Sequence, residues 1–104
     1  MPTVTIPLSK AYPWHDGDFR ELKLREPTGL EFTEIPIHIR VLTLPGGERE
    51  TKVDFDLAFK WAARLSGVSV GVLHTFTRND TMALVAGVTQ AIGDEAIDEK
   101  NSEG

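Results

Sequence analysis

Apolar and polar residues alternate along Thr3-Val4-Thr5-Ile6-Pro7-Leu8, with Val4, Ile6 and Leu8 on one side and Thr3 and Thr5 on the other. A period of two is that of a half-buried strand. Pro7 has no N–H to give a ladder, which marks the strand as an edge. The same period returns at Leu22 and Leu24, divided by Lys23 and followed by Arg25, and it stops at Pro27. Between the two runs lie Pro13 and His15-Asp16-Gly17-Asp18. Asp caps its own backbone and Gly accepts a positive φ, so this is turn chemistry. The pattern predicts an antiparallel hairpin with a loop at Tyr12–Asp18, and it puts Trp14 in that loop, folded back over the hairpin or against a partner.

Pro27 holds φ near the helical value and suits the first turn of a helix, here a short one over 28–34. The next stretch reads two ways. Leu30, Thr33, Glu34 and Ile37 share a helical spacing that Pro36 interrupts, whereas Ile35, Ile37, Ile39 and Val41 alternate as a strand does. Leu44-Pro45-Gly46-Gly47 is a break, and Glu48 to Lys52 reads as a charged loop. Asp54 opens the clearest helix: Leu57, Ala58, Trp61, Ala62 and Leu65 form an apolar stripe, with Lys60 and Arg64 facing out. Asp54 and Asp56 suit its positive N-terminal end, and Gly67 suits a left-handed C-cap. Ser69 caps a short turn carrying Val72, Leu73 and Phe76. Thr77 or Asn79 caps a last helix in which Met82, Val85, Ala86 and Ile92 share a face with Thr89.

Composition narrows this to one α+β domain: an N-terminal antiparallel β-hairpin packed on about three α-helices. The chain has 104 residues, 40% hydrophobic and 26% charged, enough for a modest core. Its net charge of −5 is unevenly placed. Asp94, Glu95, Asp98, Glu99 and Glu103 face Lys100 alone in residues 93–104, whereas the remaining 92 residues carry 11 acids and 10 bases. The pattern predicts a folded domain over 1–92 and a disordered acidic tail over 93–104. A neutral body with an acidic end lacks the basic face that nucleic-acid binding needs. No apolar run approaches the roughly 20 residues that span a bilayer, and no basic segment precedes an apolar one at the start, so a cytoplasmic location is expected.

Little catalytic chemistry is legible. There is no cysteine, and His15, His38 and His74 stand in three unrelated contexts without paired-ligand spacing. Asp16 and Asp18 resemble a fragment of a calcium loop but lack its closing glutamate, and a turn accounts for them. No glycine-rich phosphate cradle or nucleophile elbow is present. The expectation is a protein without enzymatic activity, cofactor or metal. The cluster Val68, Val70, Val72, Leu73 and Phe76 is the chief apolar feature outside the helical stripes. It is either wrapped by the core or left partly as a patch that a partner covers.

Glu21, Leu22, Leu24, Arg25, Glu26, Pro27 and Thr28 form an "ELxLREPT" segment, and Ala62-Ala63-Arg64-Leu65-Ser66-Gly67-Val68 lies downstream before a helical close from Asn79 to Ile92. In order and spacing these resemble the small tail assembly chaperones of contractile-tailed, Mu-like phages and prophages, over roughly residues 3–92. The resemblance implies a chaperone that binds the tape measure protein in several copies, keeps it soluble and leaves as tail tube protein polymerises. It also implies a host-cytoplasmic location outside the mature virion, and in many members a longer frameshifted form of the same protein. Trp14, Val68, Val70, Val72, Leu73 and Phe76 are the candidate partner-binding residues. Leu22, Leu24, Arg25, Glu26, Pro27, Leu65 and Gly67 are expected to be structural, with Arg25 and Glu26 holding the strand–helix junction by capping and a local ion pair, or else meeting a partner through their charges. The family pattern implies a plain helix in the middle of the chain, from which Pro36 and the β-branched segment 35–44 depart. A structural tail or neck protein of the virion and a small host adaptor or regulator are the alternatives, and a homo-oligomer would suit so small a core.

Overall fold

A computed structural model describes residues 3–15 and 17–93. The prediction for the acidic tail therefore lies outside the described residues from position 94 onward, as does Asp16. The fold is α+β, with an N-terminal antiparallel hairpin packed on helices as its sequence predicts. Strand β1 (Val4–Trp14) pairs with β2 (Gly17–Leu24), and opposed residues Ile6 and Leu22, Val4 and Leu24 point the same way into the core. The loop expected at Tyr12–Asp18 is shorter: Tyr12, Pro13 and Trp14 belong to β1 and pair with Phe19, Asp18 and Gly17, and the chain reverses around His15, whose φ is 57°. The irregularity lies inside β1, where Leu8, Ser9, Lys10 and Ala11 stand opposite Arg20 alone.

That bulge is held from the helical layer. The Ser9 N–H and hydroxyl and the Tyr12 hydroxyl all donate to the Asp80 carboxylate, at 2.8, 2.8 and 2.5 Å. Burial pushes the Asp80 carboxyl upward, but these donors outweigh it and hold the group below its usual value. Asp80 lies in the first turn of α4 (Arg78–Ile92), which Thr77 caps by accepting from the Asp80 N–H, so one acid joins strand to helix start.

The Asp54 helix forms as predicted. It is α2 (Phe55–Ser66), with the Asp54 side chain accepting from the Leu57 N–H and Gly67 at φ 79° beyond its end. Trp61, Ala58 and Ala62 are fully buried on its stripe. Ser69 caps the one-turn α3 (Val70–Leu73). In α4 the predicted face is half right. Val85 and Ile92 are buried as expected, but Met82 and Ala86 are exposed, and Leu84, Gly87 and Val88 are buried in their place. Gly87 accounts for the difference: a Cβ there would stand 2.4 Å from the end of the Ile6 side chain, so β1 lies directly on α4.

In the middle of the chain the open reading resolves toward strand, against the plain helix that the family resemblance implies. Helix α1 (Gly29–Glu34) begins after Thr28, so Pro27 precedes the cap rather than occupying the first turn. Ile39–Thr43 is a strand, β3, and the supposed charged loop contributes Arg49–Val53 as β4, paired antiparallel with it across the Pro45-Gly46-Gly47 turn. This second hairpin touches little else and stands away from the body of a molecule measuring 51 × 28 × 20 Å. Its root is fixed. The His38 carbonyl accepts from the Asp54 N–H at 2.7 Å, the Pro36 carbonyl accepts from the Trp61 indole at 2.9 Å, and the His38 ring is wholly buried against Thr89 of α4. The Thr89 hydroxyl donates to the Val85 carbonyl, so it accepts from His38 Nε2–H. Among the described residues His38 Nδ1 is left as a buried acceptor without a partner, and burial holds the ring's pKa below its ordinary value.

Candidate functional site

The two segments singled out in the sequence meet at the junction of β2, α1 and α2. The Arg25 N–H donates to the Leu65 carbonyl at 3.1 Å, which ties the end of β2 to the last turn of α2. Leu22, Leu24 and Leu65 are core residues. The expected Arg25–Glu26 ion pair is replaced by another: Arg25 pairs with Glu31 at 3.0 Å and touches Glu26 through its carbonyl oxygen only. Glu31 also accepts from the Thr28 N–H at 2.8 Å and from its hydroxyl, and it lies 3.5 Å from Arg64 of α2. The Arg25 hydrogen bond and then the Thr28 N–H outweigh its loss of water and lower the Glu31 pKa to about 2. Arg64 reaches onward to Glu34 at the end of α1. These contacts hold α1 against α2.

Beside this junction a groove of about 460 Å³ runs along the outer face of α2. Ala63 and the exposed Val70 supply its accessible apolar lining, the largely buried Ile35 closes one end, and Asp56, Lys60, Arg64 and His74 form its polar edges. Asp56, Lys60, Ala63 and Arg64 recur at helical spacing, so the groove follows the helix axis. Lys60 and Asp56 stand 3.8 Å apart and His74 is braced edge-on against Phe59, so both edges are partly organised. Ala63 matters for its small size, because a flat floor lets another helix approach closely. Among the described residues no three His, Asp or Glu side chains gather into a metal-binding cluster, and no helix is long and apolar enough to cross a membrane.

Of the six candidate partner-binding residues, the structure brings only Val70 to the groove. Val68, Leu73 and Phe76 are buried in the core, which removes them as a contact surface, and Val72 is partly buried against it. Phe76 is occupied by Tyr12, 4.4 Å between ring centroids, because the longer-than-expected β1 carries Tyr12 onto it. Trp14 is half-buried at the hairpin end, 4.1 Å from the His15 ring. Sequence reasoning missed Ile35 and Ala63. The available signal was a small residue set among long charged ones on a face otherwise read as solvent-facing.

Compared with family models, with characterised proteins and with solved structures, the chain has no significant match.

Proposed function

We propose that this protein is a non-enzymatic tail assembly chaperone that binds apolar helical segments of a tape measure protein. On this reading it works in the host cytoplasm and is displaced as tail tube protein assembles. The observation that carries the reading is the groove on α2, apolar along Ala63 and Val70 and edged by both charge signs. A helix presenting one apolar stripe and charged flanks complements such a surface. The groove is short and open, so each contact is weak, and holding a long guest depends on many copies along it. Weak single contacts also let the growing tube displace the chaperone. A longer frameshifted form would present the same groove with an added segment.

Co-expression with the tape measure protein encoded beside it tests the proposal. The expected result is a soluble guest that co-purifies with the wild-type chain and is lost with Ala63→Glu, which fills and charges the floor from a half-buried position while circular dichroism shows the variant still folded. A tape measure protein that stays insoluble and unbound would overturn it. Recovery of this chain from purified virions would favour a structural tail or neck protein instead.

A further inference from the structure

We infer that the β3–β4 arm is a self-association element, in which two copies pair their β4 strands antiparallel about a two-fold axis at Thr51. The result is a continuous four-stranded sheet in the order β3-β4-β4-β3. The inference is independent of the proposed function. Among the described residues β4 pairs with β3 alone, so its outer edge offers unpaired N–H and C=O groups. A lone two-stranded ribbon is marginal in water and gains from added strands.

The charges on the arm select the partner. Within one copy Arg40 stands directly opposite Lys52, an unfavourable like-charged pair, and among the described residues neither forms an ion pair with an acid. Antiparallel self-pairing about Thr51 sets Glu50 opposite the partner's Lys52, and symmetry repeats the match. Lys52 then lies between Arg40 of its own copy and the partner's Glu50, so the carboxylate offsets both cations. Thr51 meets the partner's Thr51, a favourable cross-strand pair. On that same face Val41 lies behind Thr51 in each copy, which makes a β-branched row across the seam. Moving the axis to Glu50 or to Lys52 would put two like charges face to face, so the pattern specifies the register as well as the partner.

Sedimentation equilibrium of the full chain across a wide concentration range reads this directly. The expected result is a monomer–dimer equilibrium that weakens with added salt. Lys52→Glu sets acid against acid twice across the seam while giving Arg40 an opposite charge inside the arm, so the dimer weakens at least about tenfold with the monomer fold intact. Glu50→Lys has the same effect with the signs reversed. Combining the two substitutions restores the opposed charges and the wild-type dissociation constant to within about threefold. A chain that stays monomeric throughout, a dimer indifferent to either single reversal, or a double variant no tighter than the singles would each overturn the inference.

Discussion

A carboxylate shut away from water persists as an anion only where donors surround it, and Glu31 and Asp80 meet that condition at opposite ends of the molecule. Glu31 titrates near 2 in the fold against an ordinary 4.5. Its contribution to stability is therefore whole above about pH 4.5 and is lost as pH falls toward 2. Glu31→Gln should lower the urea midpoint at neutral pH, and its gap from wild type should narrow across that window. At the other end Tyr12 donates to Asp80 and accepts from the Thr77 N–H at 3.0 Å. Tyr12→Phe removes both bonds and should cost about 1–3 kcal/mol in denaturant unfolding while keeping the fold. His38 behaves with the opposite charge and the same sign. Its ring stays neutral in the fold below the ordinary 6.5, whereas the unfolded chain takes up a proton there, so stability falls as pH drops through that value. His38→Leu should flatten this part of the pH profile. None of the three partnerships was legible in sequence, because Ser9 and Asp80, Arg25 and Glu31, and His38 and Thr89 are joined only by packing.

At the scale of elements, the parts built on local rules were legible. Asp54 and Ser69 as caps, Thr77 as one of two candidate caps, and Gly67 as a helix stop each rest on backbone chemistry within a few residues. Gly67→Ala places a Cβ on a left-handed residue and should cost about 1–2 kcal/mol. The face of α4 was less accessible because small and apolar residues lie all round it, and which side is buried depends on the strand it meets. Gly87 is the residue that decides. Gly87→Ala drives a methyl into Ile6, so despite the gain in helix propensity it should destabilise by about 1–2 kcal/mol. Adding Ile6→Val should recover part of that loss, a coupling that a double-mutant cycle measures. The extension of β1 through Trp14 was missed for a similar reason: Asp80 and Phe76, far along the chain, hold the bulge and Tyr12 in place.

On the scale of the whole molecule, the structure separates a packed body from an arm that adds little to it. Joining Ile39 to Val53 through Asn-Gly should leave the body's thermal unfolding within a few degrees of wild type by circular dichroism, because the Asp54 and Trp61 bonds to the arm's root remain. The 68–76 cluster shows where sequence reasoning stopped. Five apolar residues in a short span say that something covers them, and only the positions of Tyr12 and the helices show that for Val68, Leu73 and Phe76 the cover is the chain's own core. The groove came from the converse: Ile35 and Val70 are far apart in sequence and line the same groove as Ala63, beside the junction that Arg25, Arg64 and Glu31 hold. By itself, the sequence determined the N-terminal hairpin, the α2 helix with both its ends, and the α+β class, since periodicity and capping act over a few residues. Tertiary structure alone decided which face of α4 is inside, how far β1 extends toward Trp14, and which apolar side chains reach the surface. Those outcomes depend on contacts between distant residues, whose free energy no local pattern carries.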